Sequence, residues 1–243
     1  MIRALIIGFA AMLIVSESRA QDHVAGTETS PVMVELFTSQ GCPACPAADR
    51  VLTELARRPD VLALSFHVTL WDDLGCKDRF GTPANTARQR AYHRPLKNAQ
   101  VYTPQIVVGG QYEVAAHDVR SASAVITGVT QSRSAAPTLK LSRGDTVTVA
   151  VAAANGAPAS TVWAAVYLPQ IETAVRHGEN AGKTMPSSNV VRTFISLGPY
   201  SGAAADFLVP ADFAREGEGI AVWLQADPSG AILGAANAAP VTR

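Results

Sequence analysis

Apolar residues in the first half of the chain switch between two spacings, which predict alternating strands and helices. Residues 32–37 form an almost continuous apolar, β-prone run, typical of a strand buried on both faces of a parallel sheet. From Pro46 onwards apolar residues recur at helical spacing, so a helix is predicted to start at or just after Cys42. A second apolar run at 61–68 then predicts a strand parallel to the first, because the order is β, α, β.

The rest of this half predicts two more helices and a hairpin. Thr82 and Pro83 have the residue types of an N-cap and a first helical position, and the Arg and Gln side chains that follow are interpreted as a solvated helix face. Two β-prone segments separated by Gly109 and Gly110 predict a hairpin. Residues 118–130 place their apolar side chains on one helical face.

The second half predicts an antiparallel β-sandwich, because alternation and turn residues replace helical spacing. A polar loop from Arg176 to Asn180 joins two of its strands. We interpret this loop as a structural turn; the alternative is that its polar residues face the cysteines of the first half. The predicted strands cover residues 138–141, 146–152, 160–168, 189–197, 207–209, 219–226 and 231–236.

The N-terminus has the pattern of an export signal. Arg3 precedes an apolar stretch at 4–15 and a small-x-small cleavage site that ends at Ala20. The alternative is an uncleaved membrane anchor, but the apolar stretch is shorter than the roughly 20 residues that span a bilayer. We therefore expect a periplasmic or secreted protein with no membrane span after signal removal. The predicted segments are a signal peptide (1–20), a disordered leader (21–30), an α/β domain (31–130), a linker (131–137) and a β-sandwich-like domain (138–243).

The charge of the chain argues against a nucleic-acid partner. Basic and acidic side chains number 20 each, so the formal net charge is zero and no basic footprint is present. No sequence motif calls for a cofactor, and we expect none.

Cys42 and Cys45 are the candidate catalytic residues. A thiol at a helix N-terminus has a lowered pKa, because the unpaired amides and the helix dipole stabilise its thiolate. Cys42 is therefore the predicted nucleophile, and Cys45, one turn further on, is the resolving thiol. This interpretation requires that Cys42 faces outward, within reach of a second molecule. A C-x-x-C pair that lies between a buried strand and a helix indicates redox chemistry more strongly than a C-x-x-C without that context.

Three further side chains are candidates for the same edge of the sheet. His67 is near the end of the second strand, where a histidine can lower a cysteine pKa, shuttle a proton or simply be hydrogen-bonded. Trp71 begins the following loop and is predicted to form part of the rim. Cys76 is the odd cysteine, interpreted as a partly buried free thiol, with a third redox cysteine or an intermolecular bridge as alternatives.

The order strand, C-x-x-C, helix, strand, helix, Thr-Pro, hairpin, helix resembles the thioredoxin superfamily. The resemblance implies a cis peptide between Thr103 and Pro104, with Pro104 beside the disulfide and the Thr103 backbone pairing with substrate. It also implies that Glu35 is the buried acid that relays protons for the second cysteine, if the intervening loop is one residue longer. The alternative for Glu35 is an acid paired with a nearby donor.

Longer motifs resemble one exported thioredoxin-like family, domain of unknown function 1223. In that family, tryptophan is usual at the position of Cys76, which argues against a general role for this thiol. The family has no established activity. The motifs that carry the resemblance lie at residues 35–46, 65–68, 71–75, 86–92, 101–105, 176–182 and 189–192.

These observations predict an exported thiol-disulfide oxidoreductase with a thioredoxin-like N-terminal domain. Its partners would be a protein or small-molecule thiol or disulfide and a redox partner. One alternative is a periplasmic copper- or zinc-binding module that uses Cys42, Cys45 and His67. The other is a non-catalytic binding protein whose disulfide is structural.

Overall fold

The computed structural model describes residues 30–98, 100–133, 137–144 and 146–240. The predicted signal peptide at 1–20 lies outside the described residues, as does the leader up to residue 29 and the linker segment 134–136. Among the described residues, none of the helices has the length and hydropathy needed to cross a membrane.

The first half contains the predicted alternation of strands and helices. Thr82 caps its second helix, since its side-chain oxygen accepts a hydrogen bond from the Asn85 amide. In chain order the elements are β1 (Val32–Thr38), α1 (Cys45–Leu55), β2 (Val61–His67), a 3₁₀ turn (Asp72–Leu74), α2 (Pro83–Tyr92), β3 (Gln105–Val108), β4 (Tyr112–Val114) and α3 (Val119–Ser132).

The second half is all β where it is described, as predicted. Its two longest strands extend well beyond the predicted limits, because they continue into the polar residues on both sides of the 176–180 loop. The strands are β5 (Leu139–Arg143), β6 (Val147–Val151), β7 (Ser160–Ala174), β8 (Thr184–Tyr200), β9 (Ala205–Val209), β10 (Gly219–Ala226) and β11 (Ile232–Ala238).

One eight-stranded sheet runs through both halves in the order β11-β10-β7-β8-β2-β1-β3-β4. β1 and β2 are parallel along their whole length, and β8 joins β2 through the parallel pair Ser65 and Val190. β5, β6 and β9 form a separate antiparallel sheet. The predicted sandwich is therefore built from this small sheet and the second-half strands of the large one. That each half is a domain in its own right stays a prediction.

β1 is buried on both faces, which explains its continuous apolar run. Val34 and Leu36 face a core shared with α1 and α3. Met33 and Phe37 face a second core that contains Tyr92 of α2 and residues of β10 and β11. A third core lies between the two sheets. The C-terminal ends of β1 and β2 therefore meet at one sheet edge, beside the start of α1.

Candidate active site

A disulfide joins Cys42 and Cys45 at the start of α1, with their Cα atoms 5.3 Å apart. Cys45 is the first residue of the helix and Pro46 is the second, a position where the missing amide of proline is tolerated. The Cys42 amide donates to the Ser39 carbonyl in the turn after β1. The predicted placement of the C-x-x-C between a buried strand and a helix start is confirmed.

Both cysteines of this disulfide are buried. Cys42 is 1% exposed and Cys45 is 0% exposed, while Pro43 and Ala44 between them are exposed. The expectation that Cys42 faces outward is therefore wrong for the disulfide-bonded protein. The physical reason is that segments from both halves of the chain pack over the motif.

The 176–180 loop is one of these segments. The side-chain amide of Asn180, itself fully buried, donates hydrogen bonds to the carbonyl oxygens of Gln40 (3.0 Å) and Cys42 (2.8 Å). Lys183 donates to the Asn180 side-chain oxygen at 2.9 Å. The interpretation of this loop as a structural turn is thus incomplete, because Asn180 ties the second half to the redox motif.

Trp71 and Thr103 form a second contact beside the motif. The Trp71 indole N–H donates to the Thr103 hydroxyl at 2.8 Å, so the two predicted substrate-side residues lie together. Trp71 also packs on Gly41, where the Cβ of any larger residue would lie only 2.8 Å from the Trp71 Cβ. The peptide bond between Thr103 and Pro104 is cis, as the resemblance to thioredoxins implies.

A groove lies beside the start of α1, next to the buried disulfide. Its cavity of about 550 Å³ is lined by Ala44, Ala47 and Pro104, and Tyr102 and His117 also contribute to its wall. Tyr102 is 38% exposed although it is large and aromatic. Pro104 and Ala44, the residue before Cys45, therefore share one surface, which neither cysteine lines.

Glu35 lies away from the disulfide, on the opposite face of the sheet from α1. It shares the parity of Met33 and Phe37 along β1, and its carboxylate accepts hydrogen bonds from Arg88 Nε (2.6 Å) and the Tyr92 hydroxyl (2.5 Å). This placement does not support the relay expected of Glu35 and matches the alternative of an acid paired with a nearby donor. Arg88 and Gln89 are buried, so the interpretation of the α2 Arg and Gln side chains as a solvated face is wrong at these positions.

Asp49 is a buried acid on the helix that begins at Cys45, and it was not among the site residues predicted from the sequence. It is one helical turn after Cys45 on the buried face of α1, and it is 3% exposed. Its carboxylate oxygens have no hydrogen-bond partner among the described residues. Burial raises the pKa of Asp49 to about 6, against the opposing influence of the His67 charge and the Thr38 hydroxyl.

His67 is fully buried next to this acid, and it forms an ion pair with Asp78 in which Nδ1 and Oδ2 are 2.7 Å apart. Burial lowers the pKa of His67, but the hydrogen bond and charge of Asp78, with the charge of Asp49, outweigh it and raise the pKa overall. Asp78 Oδ2 also accepts a hydrogen bond from the backbone N–H of Gln40 at 2.7 Å. The pair therefore connects the end of β2 to the turn before Cys42.

His67 and the two cysteines do not come together as metal ligands in this state. Both sulfurs are in the disulfide, and Nδ1 of His67 is paired with Asp78. Over the described ranges, no group of three or more His, Cys, Asp or Glu side chains is arranged to hold a metal ion. The metal-binding alternative gains no support from this geometry.

Cys76 is a buried free thiol that packs with Val175 and Met185. Burial raises the pKa of Cys76, and the charges of Asp78 and Asp72 raise it further, so the group stays protonated. The simple interpretation of Cys76 as a free thiol therefore fits, with more burial than expected.

The comparisons with known proteins agree with this geometry. A family model described as "Protein of unknown function (DUF1223)" matches residues 33–225. The crystal structure of a structural genomics target protein from Agrobacterium tumefaciens is similar, with a TM-score of 0.78 and 30% identity, over 89% of this chain and 97% of that one.

Two further proteins are similar over the fold or over a short segment. HBP35 of Porphyromonas gingivalis has a TM-score of 0.62 at 14% identity, over 88% of this chain and 76% of that one, a likeness of fold alone. A "Probable Thioredoxin" from Archaeoglobus fulgidus is 40% identical over 50 residues, which are 21% of this chain and 55% of that protein. The match thus spans about half the length of that relative.

Proposed function

We propose a function from the premise that this chain belongs to the DUF1223 family and has a thioredoxin-like fold. It is a thiol-disulfide oxidoreductase that acts at Cys42 and Cys45 in an exported compartment. One observation carries the proposal: the disulfide lies at the start of α1, and Ala44, the residue before Cys45, lines a groove together with Pro104.

In the reduced protein, the sulfur of Cys42 lies near a helix N-terminus, which favours the thiolate. This thiolate attacks one sulfur of a partner disulfide, forms a mixed disulfide and releases the other sulfur as a thiolate. The Cys45 thiolate then attacks the Cys42 sulfur, closes the Cys42–Cys45 disulfide and releases the second partner sulfur. The partner gains two electrons and the protein loses two; the reverse sequence reduces the protein.

Asp49 is the residue we assign as proton acceptor for Cys45. Cys45 must lose its proton before it can attack, and it is buried away from water. The unpartnered carboxylate of Asp49 lies one turn along the same helix face, with a pKa of about 6. A base with a pKa near neutral both accepts and returns a proton efficiently.

Access to Cys42 requires movement, because only 1% of this residue is exposed in the disulfide-bonded protein. The Asn180 contact to the Cys42 carbonyl is the point where the 176–180 loop can separate from the motif. We therefore assign this loop as the segment that moves when a partner binds.

The decisive measurement is the reduction potential, taken by equilibrating the full chain in glutathione buffers and quantifying free Cys42 and Cys45. We expect a value above about −300 mV, since working disulfides lie above this limit and structural ones below it. A Cys45→Ser variant should then accumulate mixed disulfides at Cys42, and a Cys42→Ser variant should accumulate far fewer. A potential below the limit together with no mixed disulfides would reject the proposal.

The second candidate function is a binding protein whose disulfide is structural. The low exposure of Cys42 favours it, because a structural disulfide needs no route to solvent. The same titration separates the two functions, since a structural disulfide resists reduction in every glutathione buffer.

A further inference from the structure

A second cavity, of about 460 Å³, adjoins the redox motif and shares no lining residue with the Pro104 groove. Two segments form it: residues 76–79 after the 3₁₀ turn, and residues 173–177 at the end of β7. Gln40, two residues before Cys42, forms its inner wall. We call this cavity the basic cleft, because its exposed lining side chains include Lys77, Arg79, Arg176 and His177.

The cations of the basic cleft have no acidic partner within salt-bridge distance. The ion pairs found among the described residues join other side chains, and Lys77, Arg79 and Arg176 take part in none of them. The nearest acid in sequence, Asp78, is buried and paired with His67. A chain of zero net charge thus places three cations around one cavity with no ion-pair partner among the described residues, and the Arg79 guanidinium lies over the Phe80 ring at 4.7 Å.

Two buried polar groups of the basic cleft are also without partners in the described part of the chain. Gln40 is 4% exposed and its Nε2 has no hydrogen-bond acceptor. Thr173 is 7% exposed and its hydroxyl makes no hydrogen bond. Buried polar groups normally have partners, so the unpartnered amide donor on the wall of this cationic cavity is available to an anionic ligand.

The position of the basic cleft links it to the disulfide. Cys76, which lines the cleft, packs on Gly41, the residue before Cys42. Arg176 and His177 belong to the 176–180 loop, whose Asn180 holds the Cys42 carbonyl. A ligand in the cleft therefore contacts both the turn that carries Cys42 and the loop that covers it.

We propose that the basic cleft binds carboxylate groups of a peptide substrate whose disulfide reacts at Cys42. The proposal rests on the proposed function and adds the substrate class to it. Peptides that carry a disulfide present carboxylates at their C-termini and at acidic side chains, and the guanidinium groups of Arg79 and Arg176 match the planar geometry of a carboxylate. The cavity has the volume of a small-molecule site, so it holds a short acidic segment.

The first test measures binding without redox chemistry. S-methylglutathione, a tripeptide thioether with two carboxylates, is titrated into the oxidised full chain by calorimetry at low salt. Its diester, which lacks both carboxylate charges and keeps the ammonium group, is titrated in parallel. We expect saturable binding of the acid, none of the diester, and affinity about tenfold lower in Arg79→Gln/Arg176→Gln. The matched control is Arg90→Gln/Lys140→Gln, which removes two exposed cations outside the cleft and should leave affinity unchanged.

The second test measures the reaction itself. The reduced chain is mixed with oxidised glutathione, which is anionic, and with bis(2-hydroxyethyl) disulfide, which is neutral. The rate constant for oxidised glutathione divided by that for bis(2-hydroxyethyl) disulfide should fall about tenfold in Arg79→Gln/Arg176→Gln. The same ratio should stay constant in Arg90→Gln/Lys140→Gln. A ratio that does not change overturns the assignment of the cleft to the substrate.

The two tests fail separately. If neither disulfide reacts, the proposed function is rejected, and calorimetry still decides whether the cleft binds carboxylates. If the protein reacts but does not bind S-methylglutathione, or binds its diester equally well, the cleft proposal is overturned and the oxidoreductase proposal stands.

Discussion

The side-chain amide of Asn180 donates a 2.8 Å hydrogen bond to the carbonyl oxygen of Cys42, although 138 residues separate them in sequence. The second half of the chain thus holds the redox motif directly. Because Asn180 is fully buried, its removal leaves two carbonyl oxygens, those of Gln40 and Cys42, without this donor.

Replacing Asn180 by alanine should destabilise the protein and speed up reduction of the disulfide. We expect the free energy of unfolding to fall by about 2 kcal/mol, the cost of leaving buried carbonyls unpaired. The rate of disulfide reduction by dithiothreitol, measured in the absence of denaturant, should rise because the 176–180 loop is no longer held on the motif. Denaturant unfolding and thiol release give the two quantities.

The control for this variant is Asn155→Ala, which removes an exposed side-chain amide in the turn between β6 and β7. Both the stability and the reduction rate of the control should match the parent protein. A stable Asn180→Ala protein that is reduced at the parent rate would show that the loop does not limit access to Cys42.

Replacing Asp49 by asparagine should stabilise the oxidised protein at neutral pH. Burial raises the pKa of Asp49 from 3.8 to about 6. Between these values the folded state binds more protons than the unfolded state, so the parent loses stability as pH rises, and the penalty is complete above pH 6. The variant should therefore gain roughly 1–3 kcal/mol at pH 7 and nothing below pH 3.8. Unfolding curves from pH 3 to 8 measure this gain.

The same Asp49→Asn variant should react more slowly in the step that uses Cys45. Release of a partner from a preformed mixed disulfide at Cys42 requires the Cys45 thiolate, and the variant lacks the proton acceptor. We expect a slowing of about 10²-fold, with loss of the rate change centred near pH 6 in the parent. Unchanged release rates and an unchanged pH profile would refute the role of Asp49.

Replacing Asp78 by asparagine should lower the pKa of His67 and destabilise the protein by about 3–5 kcal/mol, because the buried His67 loses its carboxylate partner. Asp78 has a lowered pKa, so its contribution to stability is lost as pH falls through that pKa. His67 has a raised pKa, so its contribution is lost as pH rises through that pKa. The variant should therefore show its largest loss of stability at pH values between the pKa of Asp78 and the pKa of His67. Unfolding curves measure the stability, and NMR titration measures the pKa of His67.

An exposed acid provides the comparison for Asp78. Asp212→Asn removes an exposed carboxylate in the second half and should change neither the pKa of His67 nor the stability. An Asp78→Asn protein with the parent's His67 titration would contradict the ion pair.

Replacing Glu35 by glutamine should separate stability from redox chemistry. The change leaves Arg88 buried without its counter-charge and should lower the free energy of unfolding by about 3–5 kcal/mol. Since Glu35 lies on the other face of the sheet, the release rate from the mixed disulfide should keep its parental pH profile. If the release rate lost its pH dependence in Glu35→Gln and kept it in Asp49→Asn, the proton relay would be assigned to Glu35 instead of Asp49.

Spacing and turn residues were enough to predict the helices and strands of the first half and the positions of the second-half strands, but not the outer parts of β7 and β8. The run at 32–37, the helix after Cys42 and the Thr82 cap are local patterns, and the structure has all of them. Trp71 and Thr103 also lie together at the predicted edge.

Long-range pairing explains what the sequence did not indicate. Parity along β1 places Glu35 with Phe37 rather than Leu36, but only the structure tells which face carries α1. Arg88 has the sequence signature of a surface residue, and its burial depends on packing beside Trp223, 135 positions later. Asp49 was detectable in principle, because it shares the helical face of Cys45.

The parallel pair of Ser65 and Val190 makes the large sheet continuous across both halves. If the chain were cut after α3, β2 would become an exposed edge strand. Its unpaired backbone amides and carbonyls could then pair with another copy of the fragment. The aromatic face of that fragment would also lose the shelter of Trp223. We therefore expect that grafting the C-x-x-C unit onto another scaffold requires the strands beyond residue 159 as well.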